Sequence, residues 1–118
     1  MERLKQRADF LAAAGGAKVH RPGFILQLRE RGDENPARVG FTLSKKVGNA
    51  VQRNRVRRQL REIVRLSDAS RMQPGHDYVL IGRKAALDLS YARLAADFSN
   101  ALAHAPSPKT PAPRTRVS

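Results

Sequence analysis

The chain contains no cysteine, which excludes a disulfide framework, a thiolate metal site and a cysteine nucleophile. Acidic residues are scarce: 10 Asp and Glu stand against 23 Lys and Arg, a net charge of +13. A surplus that large repels itself unless a polyanion neutralises it, which points to nucleic acid first. Aromatics are few, with four Phe and two Tyr. No apolar run approaches the roughly 20 residues that span a bilayer, and "MERLKQRADF" lacks an apolar stretch of signal-peptide length after its charges. The expectation is a cytoplasmic protein with no membrane partner. At 118 residues it is one domain.

Clustered catalytic groups are also missing. Asp9, Asp33, Glu34, Glu62, Asp68, Asp77, Asp88 and Asp97 are scattered, and Asp33-Glu34 reads as a solubilising pair in a turn. Asp77, just before Tyr78, reads as a turn or cap residue. His20, His76 and His104 are far apart, without the close spacing of metal-ligand pairs. No catalytic residue and no protein metal site are expected.

What the chain does have is order. Residues 1–14 carry Arg3, Lys5 and Arg7 and then "DFLAAA", a short helical stretch stopped by Gly15-Gly16. "FILQLR" (24–29) and "RVGFTLS" (38–44) alternate as strands, and the polar "RGDENPA" between them predicts a hairpin. "YVLIGR" (78–83) is apolar on both faces, as an interior strand is. Ser90 is an N-cap for a helix carrying Leu94, Phe98, Ala101 and Leu102 at helical spacing. The residues alone give the order α-β-β-α-β-α, an α+β sandwich with helices on a sheet. The domain is expected over 1–103, and the proline-rich basic segment 104–118 is expected to be a disordered tail.

The most informative stretch is "SKKVGNAVQRNRVRRQLREIVR" (44–65), with eight positive side chains and one negative, Glu62. Asn49 and Gln52 form a candidate capping box. At about 100° per residue, Val56, Leu60, Ile63 and Val64 make an apolar stripe, and Asn54, Arg57, Arg58, Arg61 and Arg65 make a second stripe beside it. A solvated face mixes signs for i,i+4 pairing, and like charges at that spacing destabilise a helix by a few tenths of a kcal/mol per pair. The arginine face therefore reads as a phosphate-binding surface, for which the rigid guanidinium fork is suited, with Lys45, Lys46 and the helix start extending it.

"RVGFTLSKKVGNAVQRNRVRRQLREIVR", with Arg53-Asn54-Arg55 at its centre, closely resembles the central motif of the bacterial ribonuclease P protein subunit. "ADF" on the first helix, "DYVLIGRKAA" and the amphipathic last helix fit in order, so the resemblance covers residues 3–103. It implies an α-β-β-β-α-β-α order with a four-stranded sheet, the fourth strand short and near Lys18–Arg21, and an unusual left-handed βαβ crossover. It also implies a holoenzyme in which a catalytic RNA with bound Mg²⁺ removes the 5′ leader of precursor tRNA, and a single protein joins one RNA. Carried over by position, Arg53, Asn54, Arg55, Arg58 and Arg61 match RNA-contacting residues, and Lys45, Lys46 and Asn49 match the basic loop before them. Arg57 and Arg65 lie on the same face. Phe10 matches an aromatic lining a cleft for the leader, and Gln27 falls at a second cleft position that is often aromatic; Ala14 likewise replaces a frequent aromatic. Two alternatives share much of this pattern. A general RNA-binding or ribosome-associated protein would not need Phe10 beside a sheet cleft, and a DNA regulator would need a dimer to read two half-sites.

Overall fold

The structure is a computed structural model and describes residues 2–4, 6–67 and 72–104. Its elements are β1 (Glu2–Arg3), α1 (Arg7–Ala14), β2 (Ala17–His20), β3 (Phe24–Glu30), β4 (Arg38–Thr42), α2 (Ala50–Leu66), β5 (His76–Gly82), a 3₁₀ segment (Lys84–Asp88) and α3 (Tyr91–His104). Four strands of four to seven residues, plus two-residue β1 on one edge, form a mixed sheet in the order β1-β4-β5-β3-β2. The α+β class holds, and the short fourth strand expected near Lys18–Arg21 is β2. The tail expected from 104 onward lies, beyond His104 itself, outside the described residues.

The hairpin expected between 24–29 and 38–44 does not form. β5 lies between them, antiparallel to β3 and parallel to β4. The reason is burial: β5 is buried almost throughout, and only the central position covers both faces of a strand apolar on both sides. β3 pairs instead with β2 around Pro22-Gly23, where Arg21 and Phe24 exchange backbone hydrogen bonds of 2.9 and 3.3 Å. The polar segment after β3 crosses the start of β5, with Arg31 donating to the Gly75 carbonyl (2.8 Å) and Gly75 donating to that of Asn35 (2.7 Å).

The helix expected at "DFLAAA" forms and begins two residues earlier. Only Arg7–Ala14 is helical; Glu2–Arg3 extends along β4 in parallel, and the Leu4 amide donates to the Val39 carbonyl at 2.8 Å. The extended backbone buries Leu4 with Ala13 and Val79, a contact that continuing the helix would forgo.

The two sheet faces differ. On one, Phe24, Leu26, Leu28, Val39, Tyr78 and Leu80 pack against Val56, Leu60, Ile63 and Val64 of α2 and Leu94, Phe98 and Ala101 of α3. The stripe read from the sequence is the buried set of α2. Phe24 and Phe98 meet tilted, ring centroids 6.4 Å apart, an arrangement favoured by the aromatic quadrupole. On the other face, strand alternation presents Asp77, Val79 and Ile81, and only short α1 covers it. That half-covered face is where a ligand could lie.

Candidate RNA-binding surface

The arginine helix begins where the sequence placed it. The Asn49 side chain accepts from the Gln52 amide and the Gln52 side chain accepts from the Asn49 amide, both at 2.9 Å. A β-carbon on Gly48 would stand 2.3 Å from the Gln52 side-chain oxygen, so glycine there lets the box close. Arg53 donates to the Gly48 carbonyl at 2.7 Å, holding the approaching loop. Lys45 and Lys46 are exposed in that loop.

Along the helix, Asn54, Arg55, Arg58, Arg61 and Arg65 are exposed and Arg57 is half-buried. Their partners differ. Arg55 donates to the Leu87 carbonyl (3.1 Å), tying α2 to the 3₁₀ segment. Arg57 donates to Asn54 Oδ1 (2.9 Å), and Arg65 pairs with Glu62. Arg58 and Arg61 have no acceptor among the described residues. The guanidiniums face solvent on one side of the helix with only Glu62 to offset them.

A cleft of about 470 Å³ lies between α1 and the sheet. Phe10 and Gln27, 17 residues apart in sequence, share its lining with Phe41, Thr42, Val79 and Ile81. The Phe10 ring sits over Gly40, and Gln27 is only 6% exposed. Ala14 and Arg7 of α1 also line it. Phe41 was not singled out in the sequence, although its alternation in β4 was visible; it borders the cleft while packing partly against the core on the α2–α3 side.

At one end of the same face lies a charged network. Asp77 of β5 is fully buried, with Arg38 of β4 and Arg29 of β3 directly opposite it on either side. Arg38 donates to both carboxylate oxygens (2.8 and 2.9 Å), Arg31 donates at 2.5 Å, and Arg29 stands at 3.6 Å. Arg38 also reaches Asp9 of α1 at 3.3 Å. Burial pushes the Asp77 carboxyl upward, but the hydrogen bonds from Arg38 and Arg31 outweigh it and hold the group below its ordinary range. The turn or cap role read for Asp77 is thus replaced by an ion-pair hub, because two flanking strands aim guanidiniums at it. Among the described residues no group of three or more His, Asp or Glu could hold a metal ion, and no helix is long and apolar enough to cross a membrane.

The ribonuclease P family profile matches residues 1–106. The chain belongs to the ribonuclease P protein family. The ribonuclease P protein component of Gluconacetobacter diazotrophicus is 50% identical over 101 residues, 85% of this chain and 87% of that one. That of Caulobacter vibrioides is 46% identical over 102 residues, 86% of this chain and 68% of its relative. The RNase P protein of Staphylococcus aureus shares the fold with a TM-score of 0.75 at 27% identity, covering 87% of this chain and 94% of the other. The RNase P protein from Thermotoga maritima does so with a TM-score of 0.73 at 29% identity, covering 86% and 96%.

Within this ribonuclease P protein fold, the arginine helix adjoins the cleft. Phe10 and Phe41 line both the cleft and a smaller hollow that also takes in Arg57 and Arg61 of α2. Sequence reading placed the arginine face and the cleft separately; it had no signal for their junction, which depends on β1 lying beside β4.

Proposed function

We propose that the chain is the protein subunit of the ribonucleoprotein endonuclease that removes the 5′ leader from precursor tRNA. The arginine face of α2, with Lys45 and Lys46, binds phosphates of the catalytic RNA. The cleft between α1 and the sheet receives the single-stranded leader, with Phe10 offering a stacking surface of about 1–3 kcal/mol per base. The protein works in the cytoplasm as one copy per RNA. One observation carries this reading: an arginine face offset only by Glu62 adjoins a half-covered sheet face with an apolar cleft.

The cleavage chemistry belongs to the RNA with its Mg²⁺. The side chains of this chain do not suit that ion, because its closest carboxylates, Asp9, Asp33 and Asp77, are each committed to arginines. Mg²⁺ is held by phosphates of the RNA and substrate, and the protein contributes affinity and positioning. The test is reconstitution with a bacterial catalytic RNA and precursor tRNA at low Mg²⁺, omitting each component in turn. Cleavage that requires the RNA and rises with the protein supports the reading. RNA binding with no increase at any Mg²⁺ concentration favours a general RNA-binding protein, and cleavage by the protein alone overturns the division of labour.

A further inference from the structure

Two arginine clusters flank the half-covered sheet face, and their charge balance differs. In the first, Arg29, Arg31 and Arg38 meet Asp9, Asp33 and Asp77, so every guanidinium has a carboxylate. In the second, Arg3 of β1 and Arg57 and Arg61 of α2 border a hollow of about 80 Å³ floored by Phe10 and Phe41. No acidic side chain lines it among the described residues. Arg3 and Arg61 have no acceptor among those residues, and Arg57 has only the amide oxygen of Asn54. Three guanidiniums brought together without a counter-charge repel one another, a cost that an anionic ligand removes.

The position of Arg3 is fixed by the fold. It pairs with Val39 in register, and the next residue, Leu4, is buried and donates its amide to the Val39 carbonyl. Arg57 and Arg61 are one helical turn apart on the same side of α2. The hollow, at about 80 Å³, is much smaller than the neighbouring cleft and is bordered by three arginines, which suits a compact anion such as a phosphodiester group. The neighbouring cleft, at about 470 Å³, is large enough for a base, and Phe10 and Phe41 are walls of both spaces.

We infer that Arg3, Arg57 and Arg61 form a phosphate site for the same strand whose base occupies the cleft, so that Phe10 separates base from backbone. This rests on the reading of the cleft as the leader site, and it adds a contact to the substrate strand at the edge of the α2 face that binds the catalytic RNA. The strand is then gripped at two chemically different points, apolar for the base and cationic for its phosphate.

The test uses the reconstituted holoenzyme and precursor tRNA with and without its leader, across a salt series. Arg3→Gln should lower the leader-dependent part of the affinity about five- to tenfold, the loss of one exposed charge-assisted hydrogen bond. The log–log salt slope should fall by about 0.7, one single-strand phosphate contact. A single methylphosphonate moved along the leader should weaken the wild type at one position and have no further effect there in Arg3→Gln. An unchanged slope, with every methylphosphonate acting independently of the variant, overturns the site. Weaker binding of Arg3→Gln to the catalytic RNA without substrate also overturns it, by giving the phosphate to the other RNA. Phe10→Ala separates the two claims. If it weakens leader binding while Arg3→Gln does not, the phosphate site fails alone; if it has no effect while the methylphosphonate coupling persists, the site stands and the cleft reading fails.

Discussion

The ring of Phe10 occupies the space above Gly40 that a side chain would fill: a β-carbon there would stand 2.5 and 2.6 Å from two of its ring atoms. Glycine in β4 thus lets the α1 aromatic settle against the strand backbone. Gly40→Ala should displace the ring and cost about 1–3 kcal/mol through overpacking, lowering Tm by about 5 °C or more. Leader-dependent affinity should fall with it, while affinity for the catalytic RNA stays near wild type. Thermal denaturation beside the two binding measurements checks this, and unchanged leader binding with a displaced Phe10 would detach the ring from substrate recognition.

Arg58 is exposed and lies off the apolar stripe. Arg58→Ala should leave stability within about 0.5 kcal/mol. Its affinity for the catalytic RNA should drop, and the salt slope of assembly should decrease by about 0.7–0.9. A large fall in Tm would instead make this arginine structural.

Asp77 carries the opposite expectation. Asp77→Asn removes the buried carboxylate that Arg31 and Arg38 share and leaves them only Asp33 and Asp9, which should cost about 2–3 kcal/mol, less than a buried charge left wholly unpaired. The pH dependence has a defined sign. The folded-state carboxyl titrates below its unfolded value, so its contribution is present above that value, about 3.9, and is lost as pH falls through the folded value. Wild-type stability should decline below about pH 4, and Asp77→Asn should show a shallower decline there. Urea midpoints from pH 7 to pH 2.5 measure it; parallel curves would remove Asp77 as a source of acid sensitivity.

The capping box gives a smaller effect. Asn49→Ala should destabilise by about 1 kcal/mol and fray the first turn, where Arg53 and Asn54 sit. Amide exchange should rise over residues 50–53, and exchange in the last turn of α2 should not change.

The features read correctly from the sequence are those whose cause is local. Val56, Leu60, Ile63 and Val64 repeat with the helical period, Asn49 and Gln52 bond across three residues, and Ser90 accepts from the Arg93 amide at 3.0 Å. The both-sided apolarity of Tyr78–Gly82 marked an interior strand, but nothing in it named its neighbours. Pairing β3 with β4 followed the habit of consecutive strands to adjoin, and the need to bury β5 on both faces overrode it. Leu4 offered too short a segment for any periodicity. Asp77 read as a turn or cap residue and Arg38 and Arg29 were not singled out, because their meeting needs three strands in register. Phe10 and Gln27 were paired through resemblance, and the cleft they share exists only once α1 lies across the sheet.

The central place of β5 has a consequence for synthesis. It is the last strand to leave the ribosome, yet β3 and β4 both depend on it. During translation the β2–β3 hairpin can form by itself, while β4 and the apolar side of α2 wait without a partner until Gly82 emerges. At about 5–20 residues per second, the 16 residues that follow Leu66 up to Gly82 leave a cationic helix and an unsatisfied strand exposed beside ribosomal RNA for about 1–3 s. Assembly of the sheet is therefore a late, nearly all-or-none event, and a chain broken off before His76 keeps its phosphate-binding arginines without the scaffold that orders them.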